Sequence, residues 1–267
     1  MATLSRYAAI YGIMLRNSLI REMSFKANFL LWMLVDCFWF LGQILFIKVI
    51  FGYTENIGDW TQWEVVLLVA THQIISELFQ AVFFMNVSGI PELVRTGKLD
   101  SILQLPADTQ FLVSVKQFGL DNLVNALIGT GFAAFALSQL GLVPSFSQWC
   151  LYGALVVLGI AIHYSVLFFL ATGSFWLVRA QGLVYGYYNV FNIARFPDVI
   201  FGGAFRFVFS WVIPVVLVAN VPTRVLARAA ETPWPLILQM LVVTVGLLIA
   251  TRLFWKKALN RYSSASS

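Results

Sequence analysis

Long stretches with almost no charged residues recur along the whole chain and constrain its fold more than any other feature. A helix rises about 1.5 Å per residue, so about 18 or more apolar residues can cross a hydrocarbon core about 30 Å thick. The chain is 60% hydrophobic and 11% charged, whereas soluble domains carry about 25% charged residues. The alternation of apolar and polar residues that marks a membrane β-barrel is missing. The sequence therefore predicts an all-α polytopic membrane protein.

The apolar stretches predict six transmembrane helices. We place them at Ala27 to Ile50, Trp63 to Met85, Phe111 to Leu140, Gln148 to Thr172, Ser174 to Phe196 and Pro235 to Phe254. A weaker stretch before the last span is interrupted by glycine, proline and charged residues. Such residues persist in a membrane only where protein or water satisfies the freed backbone groups. We therefore predict a re-entrant helical hairpin at residues 196–219, near the outer headgroups, with these residues as its markers: Arg195, Pro197, Arg206 and Pro214. A seventh span with a proline kink is the alternative.

The basic residues predict how the chain is oriented. Twelve of the 17 Lys and Arg residues lie on one side of the six-span arrangement: Arg6, Arg16, Arg21, Lys26, Arg95, Lys98, Lys116, Arg179, Arg252, Lys256, Lys257 and Arg261. Positively charged loops remain in the cytoplasm, so we expect a cytoplasmic (inner) membrane protein with both termini in the cytoplasm. The loop from Gly52 to Glu64 carries only acidic charges and is expected outside. On that outer side Arg224 and Arg228 are exceptions to the rule.

The first 26 residues differ from the rest, residues 27–267, which form the predicted transmembrane domain. Residues 1–26 mix basic and apolar side chains, and they predict an interfacial helix on the cytoplasmic surface. A flexible tail is the alternative. The opening does not resemble a cleavable signal peptide, because its first apolar run is too long and lacks a small-residue cleavage site.

The cysteines and histidines do not predict a metal or redox centre. Cys37 and Cys150 lie in or beside apolar spans, and no ligand spacing such as CxxC or HExxH accompanies His72 or His163. We therefore expect no disulfide, no metal site and no cofactor bound by this chain.

One charged segment, "IPELVRTGKLDSILQLP" at Ile90 to Pro106, separates two apolar spans. A segment with this charge cannot face lipid, so we expect a cytoplasmic surface that contacts a partner. Its "TGK" does not form a nucleotide-binding P-loop, because Glu92 and Leu99 stand where that motif needs Gly and Ser or Thr. A simple topogenic loop is the alternative, with helix stops at Pro91 and Pro106.

The same segment resembles the coupling helix of permease subunits of the type-2 ATP-binding-cassette (ABC-2) family, in which Arg and Gly precede a Leu-Asp pair, leucines and a proline. A second stretch, "FNIARFPDVIFGGAFRFVFSWVIPVVLVANVP" at Phe191 to Pro222, resembles the irregular fifth helix of that family. The departures are Arg224, Arg228 and Thr223, where a small apolar residue is expected.

The resemblance implies half of an ATP-driven exporter. A second permease subunit, identical or homologous, would complete the membrane part, and two separate cytoplasmic ATPase chains would bind ATP and Mg²⁺. The permease itself would be no enzyme, residues 1–26 would form its elbow helix, and residues 88–106 its coupling helix. Membrane lipids are expected to contact the chain, and nucleic acid is not. The ATPase-coupling residues would be Glu92, Arg95, Thr96, Gly97, Lys98 and Asp100.

Polar residues inside the spans are a second candidate site, because an ionisable group in hydrocarbon is costly unless it is paired or faces water. In the second span Gln73, Glu77 and Gln80 share one helical face, with His72 alongside. This stripe predicts a translocation pathway or a subunit interface, and hydrogen bonding between packed helices is the other interpretation. Asp36 in the first span is expected to find a partner on another helix.

Two other classes of function remain. An ion-coupled secondary carrier could use Asp36 and Glu77 as titrating groups, although no inverted repeat is visible. A membrane enzyme that acts on lipid would need a nucleophile or metal constellation near the interface, and the sequence shows none. The transported substrate does not follow from the sequence.

Overall fold

The computed structural model describes residues 2–24, 26–177, 181–228 and 232–262. Almost all of this part of the chain is helical. The α-helices are α1 (Ala2–Ser24), α2 (Lys26–Ile50), α3 (Gln62–Phe79), α4 (Met85–Ser88), α5 (Ile90–Arg95), α6 (Leu99–Leu103), α7 (Thr109–Ser114), α8 (Leu120–Gln139), α9 (Phe146–Thr172), α10 (Gln181–Phe191), α11 (Gly203–Phe207), α12 (Val215–Ala227) and α13 (Trp234–Leu259). The strands β1 (Asn56–Ile57) and β2 (Trp60–Thr61) form an antiparallel hairpin. Arg179 and Ser264 lie outside the described residues.

The described helices confirm the all-α polytopic membrane fold. Five of them are long and apolar enough to cross a membrane: Phe29–Ile50, Gln62–Arg95, Leu120–Gln139, Phe146–Phe175 and Trp234–Leu259. The pair Gly203–Val212 and Val215–Ala227 would give a sixth span if counted as one, although the two arms meet at an angle of 84°. We call the end of the bundle that carries residues 88–106 the coupling end.

The helix α3 forms the centre of the bundle. Its residues Val65 to Ile75 are buried almost without interruption, and α8, α9 and α12 pack around it. Two glycines allow close approach: a Cβ at Gly129 would lie 3.3 Å from the Ala70 carbonyl oxygen, and one at Gly159 would lie 3.2 Å from the Ile75 side chain. Small residues at such crossings let membrane helices pack tightly. At its start, Thr61 and Glu64 form a capping box that joins α3 to β2.

The predicted third span, Phe111 to Leu140, is broken in the structure. Helix α7 ends at Ser114, and α8 begins at Leu120. A turn of π-helix at Gln80–Phe84 continues α3 and leaves the Ala81 carbonyl oxygen free to accept a hydrogen bond from the Gly119 amide, at 2.9 Å. The side chain of Asn86 also binds both backbone groups of Gln117. Because these bonds satisfy the backbone between the helices, the break is stable beside the bundle.

The predicted fifth span, Ser174 to Phe196, is not one continuous helix in the described residues. Residues Gly173–Phe175 form a 3-10 turn that ends α9, and α10 is described from Gln181 onward. A 3-10 turn at Asn192–Arg195 extends α10 until Pro197 ends the helical backbone. Within the described residues, this segment is not among the helices long enough to cross a membrane by length and composition.

The segment of the predicted hairpin forms two unequal helical arms, an arrangement that fits a re-entrant hairpin or a broken span. The first is α11 with a π-helical turn at Val208–Val212, and the second is α12. Pro214 lies at the bend, because it cannot continue the hydrogen-bond ladder of the preceding turn. The second arm continues past Ala219, the predicted boundary, to Ala227 and is almost completely buried. The first arm exposes large apolar side chains, among them Phe205 and Phe207.

The predicted coupling helix, residues 88–106, is two short helices rather than one. Helix α5 ends at Arg95 and α6 begins at Leu99. Gly97 between them has a φ of +69°, which favours glycine because it has no Cβ. Pro91 occupies the first turn of α5, where its missing N–H costs nothing.

Candidate coupling and translocation sites

The outer face of α5 and α6 carries the predicted ATPase-coupling residues. Arg95 forms an ion pair with Glu92 one turn earlier, with 2.7 Å between Nη2 and Oε1, and the two side chains remain 64% and 52% exposed. The Thr96 hydroxyl donates to the Glu92 carbonyl oxygen, which ends α5. Thr96 and Lys98 are exposed around Gly97. The segment thus exposes acidic, basic and hydroxyl groups on its outer face.

The inner face of the same segment is apolar and fixed to the bundle. Ile90 and Leu99 are fully buried, and Ile102 is nearly so. The carboxylate of Asp100 lies beside Tyr262 near the end of α13, where burial and then the Asp100 carboxylate raise the pKa of the Tyr262 hydroxyl. The charged face is therefore held at a fixed position on the coupling end.

An ion pair joins the segment after α6 to the last helix. The guanidinium of Arg252 donates to both carboxylate oxygens of Asp108 and, at 2.9 Å, to Gln110. Partial burial works to raise the pKa of Asp108, but the hydrogen bonds and charge of Arg252 outweigh it and hold the pKa below its usual value. The Asp108 amide donates to the hydroxyl of Tyr7 on α1. One residue therefore connects the coupling segment with the first and last helices.

The polar stripe of α3 lies inside the subunit. His72, Gln73 and Glu77 are nearly fully buried. Gln73 donates to Glu77 at 2.8 Å, and Gln80 donates to Ser76 at 3.2 Å, so these hydrogen bonds stay within α3. The buried part of the stripe therefore packs against other helices of the same subunit.

Asp36 and Gln80 differ from the rest of the predicted pathway residues, because both line a cavity of about 580 Å³. The carboxylate of Asp36 accepts a hydrogen bond from the Asn125 side chain of α8, at 3.1 Å. This is the partner on another helix that the sequence led us to expect. The structure thus separates the predicted pathway residues into a cavity pair and a buried group.

At the end of the bundle opposite the coupling end, two arginines join three parts of the chain. Arg224 bonds Asp198 at 2.6 Å and Asp59 at 3.3 Å. Arg228 bonds Asp59 at 2.6 Å and Glu64 at 3.4 Å. We call Asp59, Glu64, Asp198, Arg224 and Arg228 the arginine network. It fixes the β-hairpin and the segment before α11 to the end of α12.

Electrostatics and packing support this network. Partial burial works to raise the pKa of Asp59, but the hydrogen bond from Arg228 and the charges of Arg224 and Arg228 outweigh it and lower the pKa. Both guanidinium groups lie over the ring of the fully buried Trp60, at 4.8 and 5.6 Å from its centroid. Such cation–π contacts add to the ion pairs.

The markers of the predicted hairpin are spread over this region. Arg195 lies over the ring of Phe196 and lines an apolar cavity of about 350 Å³ together with Pro197. Asn220 of α12 binds the backbone of Phe196 and Asp198. Arg206 is exposed on α11, and Pro214 is buried at the bend. The second arm thus holds the segment that leads into the first.

Sequence reasoning missed the arginine network and the Asp108–Arg252 pair. Arg224 and Arg228 were exceptions to the charge rule, and the acidic loop at residues 52–64 lay on the same predicted side. Opposite charges on one side of a membrane protein were the signal that could have paired them. Asp108 and Arg252 also lay on a common predicted side.

The fold and these sites define a multi-pass membrane protein of the transporter-subunit class, with a bundle of apolar helices and an anchored charged segment at one end. Residues 37–266 match the family described as ABC-2 family transporter protein, and the chain belongs to this family. It is a permease subunit of an ABC transporter, the component of the family that lacks the ATPase. Comparisons with curated proteins and with solved structures gave no match.

Family membership also decides between the classes of function left open by the sequence. It favours the ABC permease over an ion-coupled secondary carrier and over a membrane enzyme that acts on lipid. As a member of this family the chain works with ATPase partners.

Proposed function

We propose that the chain is one of two permease subunits of an exporter, and that two separate ATPase chains dock on α5 and α6 in the cytoplasm. ATP and Mg²⁺ would bind to those ATPase chains. Both termini would lie in the cytoplasm, and the substrate would leave across the cytoplasmic membrane. Lipid would surround the exposed apolar faces of the outer helices.

The observation that carries this proposal is the two-sided character of the coupling segment. Its outer face exposes Glu92, Arg95 and Lys98, while Ile90 and Leu99 anchor its inner face. A charged surface steers a partner and fixes its register. A rigid anchor transmits the partner's movement into the bundle, here through Asp108 to Tyr7 and Arg252. A simple connecting loop would need neither property.

The test is charge reversal at Arg95. Arg95→Glu places two like charges one turn apart on the docking face. The ATPase should then no longer co-purify with the permease, or its ATP hydrolysis should no longer depend on the permease. The double variant Glu92→Arg with Arg95→Glu restores the internal ion pair but reverses the charges that a partner meets. Its ATPase association should remain defective if the partner binds through those charges.

Arg261→Glu is the matched control, because Arg261 is exposed at the coupling end but lies outside α5 and α6. It should bind the ATPase as the unaltered protein does. All variants are compared by yield in the membrane fraction and by size-exclusion profile in mild detergent. Normal ATPase association and normal transport in Arg95→Glu would contradict docking at this segment.

For the hairpin, the proposal is that it closes the exit on the outer side in the resting state. The bend of 84° between the arms and the burial of the second arm support this proposal. ATP-driven movement of the coupling end would separate the two subunits and let the substrate pass the hairpin. This is a coupling between two states, each of which must be populated for transport.

A further inference from the structure

The cavity of about 580 Å³ has an unusual wall chemistry for a site between membrane helices. Its size lies within the range of about 300–1,000 Å³ of small-molecule sites. Two carboxylates, Asp36 on α2 and Asp121 on α8, line it together with the aromatic side chains of Trp32, Phe84, Tyr185 and Tyr188. Lys and Arg are missing from the lining among the residues that the structure describes.

The two carboxylates lack a cationic partner in the described part of the chain. Among the described residues, Asp36 accepts a hydrogen bond from the amide of Asn125, at 3.1 Å, and Asp121 accepts one from the amide of Asn122, at 3.1 Å. Carboxylates in a membrane segment are costly unless they are paired or reach water. The negative charge here exceeds what the described side chains neutralise.

A third carboxylate points to the same conclusion from inside the bundle. Glu77 is only 5% exposed, and its Oε2 has no hydrogen-bond partner among the described residues. Gln80, one turn further along the same face of α3, lines the cavity itself. The described residues supply no cation to these acidic groups, so a positive charge bound in the cavity would stabilise their ionised forms.

The aromatic walls define which kind of positive charge fits. Phe84 and Tyr188 pack with 5.4 Å between ring centroids, and Trp32 and Tyr185 are exposed at the rim of the cavity. Aromatic faces attract a delocalised or alkylated cation while they bury its apolar body. A hydrated metal ion would gain little from such walls, and an anion would be repelled by the carboxylates.

We propose that this cavity binds an organic cation with an aromatic or bulky apolar body, with Asp36 and Asp121 as its counter-charges and Glu77 behind them. That such a cation is the exported substrate rests on the proposed function, whereas the binding site does not. The cavity opens beside α2 and α10, so an amphipathic cation could reach it from the membrane.

The experiment measures binding to the purified permease in mild detergent, without any ATPase. Radiolabelled methyltriphenylphosphonium is the probe, and unlabelled methyltriphenylphosphonium or neutral triphenylphosphine oxide is the competitor. The two competitors have nearly the same shape and differ in charge. The cation should displace the probe, and the oxide should not. Asp36→Asn and Asp121→Asn should each weaken binding about tenfold or more, because each removes a counter-charge from a poorly hydrated site.

Two further variants keep the result interpretable. Glu55→Gln removes the same charge from an exposed position on the loop before β1 and should bind the probe normally. Asp121→Glu retains the charge and should keep most of the affinity.

Asp121 bonds only its neighbour Asn122 among described side chains, so Asp121→Asn carries the test even if Asp36→Asn does not fold. Equal displacement by the oxide, or unchanged binding in Asp121→Asn, would overturn the proposal. Because no ATPase is present, failure of ATPase docking leaves this result unaffected.

Discussion

At the scale of single residues, the arginine network shows how charges can be both exposed and structural. Asp59 is about half exposed, yet it receives hydrogen bonds from both Arg224 and Arg228. Asp198 and Arg224 are far less exposed, with 13% and 12% of their side-chain surfaces accessible. Removing one partner of such a shielded pair leaves an uncompensated charge, so the network depends on all of its members.

Asp59→Asn should lower the thermal midpoint of unfolding modestly at pH 7, because exposed ion pairs contribute about 0.2–1 kcal/mol. The folded-state pKa of Asp59 is lowered, so its stabilisation is complete above the unfolded pKa of about 3.9 and is lost as pH falls through the folded value. The difference between the two proteins should therefore shrink below about pH 4. Scans of tryptophan fluorescence in detergent at several pH values measure it.

Glu55→Gln is the control, since Glu55 lies on the same loop but is exposed outside the network. Its midpoint should follow that of the unaltered protein at every pH. A difference between Asp59→Asn and the unaltered protein that is the same at pH 7 and well below pH 4 would contradict an electrostatic role for Asp59.

At the scale of elements, α3 and the loop before α8 show where sequence patterns stop being informative. Apolar content predicted a continuous span from Phe111, but the chain leaves the helix between Val115 and Gly119. That break depends on the π-helical turn of α3 and on Asn86, which lie about thirty residues earlier. Hydropathy reports only the local preference for lipid, so bonds made between distant elements do not appear in it.

At the same scale, the hairpin predicts a pattern of chemical accessibility. Single cysteines at Phe201, Phe205 and Phe209 should react with an impermeant thiol reagent added from outside, at least at the most exposed of them, Phe205. Trapped nucleotide should change their reaction rates. Phe205 is exposed in the structure, while Phe201 and Phe209 are partly buried and pack against each other. The native cysteines, Cys37 and Cys150, are removed first.

A cysteine on α12, at the buried position Val218, is the control and should remain unreactive. Reactivity that changes gradually from the outer to the cytoplasmic side along 201–219 would show a seventh span instead of a hairpin. It would also remove the basis for an outer gate.

At the scale of the whole molecule, the sequence predicted the fold class, the family and the place of the coupling segment, and the family match and the helices confirm the first two. It did not predict the division of residues 88–106 into two helices, the end of α12 or the 3-10 turn at the start of the fifth span. Gly97 and Pro214 were recognisable in the sequence as helix-breaking residues. Which of the two helical segments beside each of them is buried depends on contacts in the assembled bundle. The acidic cavity was missed for the same reason, because Asp121 lies far from Asp36 along the chain.

The orientation of the chain in the membrane can be tested by cysteine labelling. Cysteine at Asn56, on β1, should be labelled from outside the cell by an impermeant reagent, whereas cysteine at Ser101 or Ser264 should be labelled only after the membrane is opened. The twelve-to-five division of the basic residues is the reason. Labelling of each cysteine after the membrane is opened is the control, because it shows that the position can react with the reagent. Outside labelling at Ser264 would require an odd number of crossings and would contradict the proposed orientation.

The short second arm of the hairpin also bears on how the protein is made. Helix α12 has 13 residues, or about 20 Å of helix at about 1.5 Å per residue, which is too short to enter the bilayer as an independent span. It contacts α3, α9 and α13, and α13 is synthesised after it. Its contacts with α3 and α9 can form as soon as it is synthesised, whereas its contacts with α13 form only when the following helix joins the bundle. The packing of the second arm is therefore completed by a part of the chain that is made later than the arm itself.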